Sequence, residues 1–263
     1  MNSINELFAN AELDLNRLAE IEALKKPRSC YFMAITPRSG STYLCDMLCR
    51  TKRFGTPQEV LTPQGIKIRL PTLPARNSEA YLENILRVKQ SANGVSGTKA
   101  SWFQWQQFLA STTHKKTLNR FKYIYVTRRD LAAQAVSLYK ATASDIFHSV
   151  QSPDESSLIK LNNLEYDYAQ IKFWYEHISA QENGWQQYFY EEGIFPLCIY
   201  YEDIEADILM VLKRIASYVG VRPDNVIMPK NPSPYIKISD ERNNLWARQF
   251  ALEHSGIALT IGR

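Results

Sequence analysis

The sequence predicts an α/β fold with a mainly parallel sheet and helices on both faces. Two observations carry this. Four short apolar runs, 29–36, 95–100, 121–127 and 194–201, have strand length and composition. Each is followed by residues at helical spacing, the alternation that builds parallel sheets through helical crossovers. The 263 residues, 45% of them hydrophobic, suffice for one large domain with an extension. There is no internal repeat or low-complexity segment.

In order, Leu7, Leu15, Leu18, Ile21 and Leu24 predict an N-terminal helix over residues 4–24, packed on the domain or on a partner. Lys25-Lys26-Pro27 ends it. Residues 1–28 are thus an N-terminal helical extension and 29–263 the main domain. The run Ser29–Thr36 is a buried strand, and Tyr43, Leu44, Met47 and Leu48 open a helix directly after a turn. Residues 54–59 have loop composition. Pro71 and Pro74 break the next segment, and Asn77-Ser78 cap a helix from about Glu79 to Gln90. Asn93-Gly94 turns into a strand at Val95–Ala100, and Trp102, Trp105, Phe108 and Leu109 mark a helix. Phe121–Thr127 is the clearest strand, followed by a helix with Leu131, Ala135, Val136, Leu138 and Tyr139. The polar stretch 144–164, with Pro153, reads as a mobile loop or lid. A long helix spans Glu165–Tyr190, with a break suggested by Gly184. Ile194–Tyr201 is a strand, Ile204–Val219 an amphipathic helix closed by Gly220, and a last helix begins near Asn243 after a Pro- and Asn-rich segment. Within that segment Lys237–Asp240 reads as a solvated tail, with closure over a bound nucleotide as the alternative.

Composition excludes several classes. A net charge of +4 suits a small anionic ligand and is too low to argue for nucleic acid. No apolar run approaches the roughly 20 residues of a membrane span. The N-terminus lacks an apolar signal segment and carries Glu6, Glu12, Asp14, Glu20 and Glu22, so the expected location is cytoplasmic. Cys30, Cys45, Cys49 and Cys198 lie inside apolar patterns and read as buried thiols in a reducing compartment. The four histidines are scattered and no CxxC occurs, so no metal site is expected.

The chemistry concentrates after the first strand. Pro37-Arg38-Ser39-Gly40-Ser41-Thr42 joins strand to helix through small residues and one cation. Open N–H groups and the helix dipole at such a junction form an anion cradle. Gly40 lets the backbone close around an oxyanion, Arg38 adds a forked cation, and Ser39, Ser41 and Thr42 add hydroxyls. The turn lacks the spacing and the lysine of G-x-x-x-x-G-K-[ST], and it is not G-x-G-x-x-G. A second basic site follows the 121–127 strand, where Arg128 and Arg129 precede Ser137 on the next helix. Lys99 ends the 95–100 strand. All three segments fall at carboxyl ends of strands, where open α/β sheets bind ligands. Two anion sites on one edge fit a nucleotide phosphorylated at two places, such as 3′-phosphoadenosine 5′-phosphosulfate (PAPS).

The chain resembles the sulfotransferase superfamily and, more narrowly, the bacterial trehalose 2-sulfotransferase family. The matching pieces are 36–42, Gly55-Thr-Pro-Gln-Glu59, Gly94–Trp102, Arg128–Ala141 and Glu182-Asn-Gly-Trp185, in family order. The resemblance implies a three-layer P-loop-like fold and PAPS as donor. It implies that Arg38–Thr42 bind the 5′-phosphosulfate, with Arg38 also catalytic, and that Arg128 or Arg129 binds the 3′-phosphate with Ser137. It makes Glu59 the general base. Gln58, Lys99 and Trp102 are placed on the acceptor side, and Tyr166 and Tyr168 either face the acceptor or pack in the core. The family usually has Glu where Thr56 stands, and the Arg128-Arg129 doublet leaves open which arginine grips the phosphate.

The leading expectation is therefore sulfuryl transfer to a hydroxyl of a carbohydrate or glycolipid, without a metal. A P-loop small-molecule kinase and a nucleotide-binding module without turnover are the alternatives. The family includes dimers, and the N-terminal helix offers a homodimer interface.

Overall fold

In the computed structural model, which describes residues 3–112, 120–147, 154–231, 233–235 and 241–255, the centre is one four-stranded sheet. Its strands are β1 (Ser29–Ile35), β2 (Val95–Ser101), β3 (Phe121–Thr127) and β4 (Leu197–Tyr200). Their order is β2-β1-β3-β4, and every neighbouring pair is parallel. Met33 lies opposite both Lys99 and Ile124, so the carboxyl ends of β2, β1 and β3 come out level.

The period-two pattern of β1 divides the core. Tyr31, Met33 and Ile35 pack with buried residues of α3 (Ser41–Arg50) and α11 (Ile208–Val219). Phe32 and Ala34 face α5 (Ser78–Val88), α6 (Trp102–Ala110) and α9 (Tyr168–Glu191). This is the expected three-layer arrangement, with helices on both faces. Phe32 is the hub of the second face, its ring centroid 4.3 Å from Trp105, 5.7 Å from Tyr123 and 5.9 Å from Trp185. Burying such a ring is worth about 1.5–3 kcal/mol. A further cluster joins α7 (Leu131–Ser144), α9 and α12 (Glu241–His254).

Several expectations change. The N-terminal helix is two helices, α1 (Ile4–Ala9) and α2 (Leu15–Ala23). Ser3 and Asp14 each cap a helix start, and Asp14 forces the break between them. Ile4, Phe8 and Ile21 are buried in the main core, so both helices pack on the domain. A helix that the prolines obscured, α4 (Pro63–Arg69), follows the 54–59 loop, with Pro63 at its first turn. The stretch 144–164 is not simply a loop: α7 runs to Ser144, and α8 (Glu155–Asn162) fills its second half behind the Asp154 cap. The 204–219 helix is likewise two, α10 (Tyr201–Ala206) and α11, divided at the Asp207 cap. The fourth strand is shorter than expected and begins after Pro196.

Gly184 does not break α9. A Cβ there would lie 2.2 Å from Trp102 Nε1, so the glycine admits an indole, not a bend. Residues 237–240 lie outside the described residues, as does part of the 144–164 stretch. Among the described residues no helix is long and apolar enough to cross a membrane.

Candidate active site

The carboxyl edge of the sheet gathers the sequence motifs. The turn 37–40 leaves β1 with Arg38 at φ 64° and Gly40 at φ 77°. A side chain on Gly40 would be strained by that φ and would also meet the Tyr201 ring at 2.8 Å. Gly40 is the N-cap of α3 and offers no side-chain cap, unlike Asn77, Asp130 or Asp167 at their helices. The first-turn amides of α3 are thus left for a ligand.

The turn is held from below. Gln134, fully buried on α7, donates from Nε2 to Thr36 Oγ1 at 2.9 Å and to the Pro37 carbonyl at 2.6 Å. Trp185 Nε1 donates to the Ile35 carbonyl at 3.0 Å. Ser39 is buried, and its hydroxyl donates to the Thr36 carbonyl at 2.7 Å. That hydroxyl braces the turn.

Arg38 does not stay over its own turn. Its Nε donates to Ser137 Oγ at 3.1 Å and its Nη1 to the Phe147 carbonyl at 2.6 Å. Its side chain thus points toward α7 and the end of the 144–147 segment. Arg128 joins it there, its guanidinium 4.4 Å from the centroid of the Tyr201 ring. Burial pushes the Arg38 guanidinium below its ordinary range; Tyr201 opposes this and Arg128 adds to it. Burial and Glu205 in turn push the Tyr201 phenol up to about 12.

The doublet divides. Arg128 has a largely buried side chain 3.8 Å from Glu202, and its Nε is buried with no hydrogen-bond partner among the described residues. Arg129 is half exposed, pairs with Asp203 at 2.9 Å and lies 4.0 Å over the Tyr200 ring. Arg129 therefore sits apart from the group formed by Arg38, Arg128 and Ser137.

A second group surrounds Glu59. The loop 54–59 is pinned beside β2: Tyr31 Oη donates to the Phe54 carbonyl at 3.0 Å, and Lys99 N donates to the Gln58 carbonyl at 3.2 Å. Thr98 Oγ1 donates to that same Gln58 carbonyl at 3.0 Å. Gln58 thus contributes its backbone to the site, while its side chain is exposed. Lys99 Nζ lies 3.0 Å from Glu59 Oε1 and 3.4 Å from Thr42 Oγ1, so one buried ammonium links the loop carboxylate to the α3 N-terminus. Burial alone would lower the Lys99 ammonium, but Cys45 and Glu59 outweigh it and hold the group above its ordinary value. Burial pushes the Cys45 thiol up to about 12, so at neutral pH Glu59 is the charge that matters.

Gln104 completes the carboxylate's setting, its Nε2 donating to Glu59 Oε2 at 3.1 Å. Trp102 packs edge-on to Trp185 with centroids 5.2 Å apart and against Gly184. Tyr166 and Tyr168 belong to the cluster of α7, α9 and α12. At Thr56, where the resemblance fails, the hydroxyl is buried without a partner among the described residues.

Gln134, Gln104, Tyr201 and Glu202 were not singled out by motif reading. Signals existed for two. Ser101-x-x-Gln104 is a capping-box pattern ahead of an apolar helix, and Gln134 is a polar residue inside an apolar helix face.

Residues 30–253 match the family described as Stf0 sulphotransferase. The chain is similar to a trehalose 2-sulfotransferase of Mycobacterium tuberculosis (strain ATCC 35801 / TMC 107 / Erdman), 24% identical over 87% of this chain and 97% of the relative. It is similar to a second, from Mycolicibacterium smegmatis (strain ATCC 700084 / mc(2)155), 22% identical over 84% of this chain and 94% of the relative. Among solved structures it resembles a sulfotransferase from Alicyclobacillus acidocaldarius, with 13% identity, a TM-score of 0.48, and coverage of 89% of this chain and 95% of that one.

Proposed function

The chain belongs to the Stf0 sulphotransferase family, and from that premise we propose that it transfers a sulfuryl group from PAPS to a hydroxyl of a carbohydrate or glycolipid. The observation that carries the donor is the pair of anion-ready regions on one sheet edge. One is the uncapped N-terminus of α3 beside Lys99. The other is the group of Arg38, Arg128 and Ser137, where two guanidiniums share the Tyr201 neighbourhood and Arg38 has no carboxylate partner among the described residues. Like charges held together, one with a buried donor that makes no hydrogen bond among the described residues, fit a phosphate between them.

In this reading Arg38, Arg128 and Ser137 hold the 3′-phosphate. The amides of α3 with Thr42 and Lys99 hold the 5′-phosphosulfate. The donor supplies an activated sulfuryl group. Glu59 accepts the proton of the acceptor hydroxyl as the new O–S bond forms and the S–O bond to the phosphate breaks. Lys99 and the α3 amides stabilise the charge that develops on the departing phosphate oxygen. As in phosphoryl transfer, positioning and electrostatics supply most of the catalysis. A carbohydrate acceptor is supported by the relatives named trehalose 2-sulfotransferases. The kinase alternative is not favoured, because the turn lacks the Walker lysine.

Calorimetry with 3′-phosphoadenosine 5′-phosphate (PAP) and with AMP tests the donor. PAP should bind at least about tenfold more tightly, since one charge-assisted contact is worth about 1.5–3 kcal/mol. Equal affinities would sink the assignment. Transfer of labelled sulfate from PAPS to a sugar panel then tests the reaction.

A further inference from the structure

Lys140 lies on α7 one helical turn beyond Ser137, on the same face, and is only 5% exposed. It takes no part in the reaction as drawn above. A lysine is seldom buried so deeply unless its charge is held. The C-terminal helix α12 helps to hold it: Nζ donates to Asn243 Oδ1 at 2.6 Å and lies 5.7 Å from the centroid of the Trp246 ring. Asn243 is itself buried, in the first turn of α12.

Lys140 also borders the anion region. A cavity of about 30 Å³ is lined by Arg38, Ser137, Lys140, Ser144 and Asn243, with Ala141, Ile146 and Leu161 closing it. That is about the volume of one water in the liquid, so Lys140 stands within a solvent layer of the Ser137 hydroxyl, which Arg38 Nε meets at 3.1 Å. The surroundings are fixed by further bonds. Ser144 Oγ donates to the Lys140 carbonyl at 2.7 Å, and Arg38 Nη1 to the Phe147 carbonyl at 2.6 Å. Two cations therefore line one small space, and Arg128 stands beside Arg38 over the Tyr201 ring. Like charges so placed repel, and an anion against Arg38 and Ser137 would be attracted by all three. Away from bulk water a charge need not touch the anion to count.

We propose that Lys140 is a third cation of the 3′-phosphate site and that Asn243 positions it, so that α12 sets how strongly the site prefers a doubly phosphorylated nucleotide. The inference rests on the donor reading above for the identity of the anion. The competing role is architectural: Lys140 would only fasten α12 to α7, beside the apolar packing of Ala247 and Phe250. The two roles separate in solution. A fastening affects stability and both nucleotides alike, whereas a charge near the 3′-phosphate favours only the nucleotide that carries one.

The test is calorimetric titration of the full-length protein, and of Lys140→Met, Lys140→Arg and Asn243→Leu, with PAP and with AMP. The readout is the ratio of the two affinities. Wild type should prefer PAP. Lys140→Met keeps the length and loses the charge, and should lower the preference by about tenfold, the scale of one charge across a solvent layer in a partly buried site. Its AMP affinity should stay at the wild-type value. Lys140→Arg keeps the charge and should keep most of the preference. Asn243→Leu leaves the charge but removes its holder, and should lower the preference by a smaller factor than Lys140→Met. The inference is overturned if Lys140→Met keeps the wild-type ratio, or if PAP and AMP weaken by the same factor. A wild-type ratio in Asn243→Leu overturns the role given to α12, and decides the matter should Lys140→Met not fold. If wild type itself binds PAP and AMP alike, the donor reading falls and the inference falls with it; if wild type discriminates and Lys140→Met does so equally, the inference alone falls.

Discussion

Glu59 is gripped from two sides, by Lys99 at 3.0 Å on one oxygen and by Gln104 at 3.1 Å on the other. A carboxylate so oriented can meet a hydroxyl without first ordering itself. Glu59→Gln keeps the size and removes the basic oxygen, so kcat should fall by about 10²–10⁴-fold. PAP affinity should stay near wild type. Unchanged turnover in a folded variant would remove Glu59 from the chemistry. The arginine doublet makes a second residue-scale prediction. Arg128 has a buried Nε with no hydrogen bond among the described residues and only a 3.8 Å ion pair to Glu202, whereas Arg129 makes a 2.9 Å bond to Asp203. Arg128→Ala should weaken PAP binding by about 10–100-fold, the worth of a charge-assisted contact of about 1.5–3 kcal/mol, and leave AMP binding little changed. Arg129→Ala should spare both. Titration of the two variants with both nucleotides decides it, and the reverse pattern would exchange the roles. The doublet could not be resolved from sequence, because which side chain turns inward depends on Tyr200, Tyr201 and Asp203, more than seventy residues away.

At the scale of elements, α9 braces the site through Trp185, which holds the end of β1, and through Gly184, which admits Trp102. Gly184→Ala sets helix propensity against packing. Alanine should gain up to about 1 kcal/mol as a helix former. The new methyl would meet the Trp102 ring at 2.2 Å, and overpacking of this kind costs typically about 1–3 kcal/mol. The ring edge is not a flexible chain end, so packing should win and the variant should be less stable. Urea unfolding measures this, and a stabilised variant would show that Trp102 has room to move. The same position explains what the sequence made legible. The strands could be read because their apolar runs are local, and the motif segments could be placed because parallel strands present their carboxyl ends together. Gly184 could not be read, because a glycine that admits a ring and a glycine that breaks a helix look alike until the partner is known. The double N-terminal helix failed for a related reason: one continuous apolar stripe is compatible with one helix or two, and Asp14 decides through a cap.

At the scale of the whole molecule, the two anion regions sit at the ends of adjacent strands. β1 feeds the α3 cradle, β3 feeds α7, and the two strands pair along their length. Gln134 ties α7 back to the turn after β1, so the halves cannot separate without losing buried hydrogen bonds. A ligand that occupies both halves should therefore stabilise the fold as a unit, while one that occupies a single half leaves the two arginines facing each other. At 100 times its dissociation constant a ligand that binds only the native state adds about 2.7 kcal/mol. For a chain of this size that corresponds to a rise in Tm of roughly 5–10 °C. PAP at that level should produce such a shift, and AMP at the same concentration a clearly smaller one. Hydrogen exchange should show protection of the 36–42 and 128–137 amides together under PAP, because the relief of Arg38 and Arg128 and the closure of the α3 cradle are consequences of one bound molecule. Equal thermal shifts with AMP, or protection confined to one segment, would mean that the regions act independently and that a doubly phosphorylated nucleotide is not what the edge is built to hold.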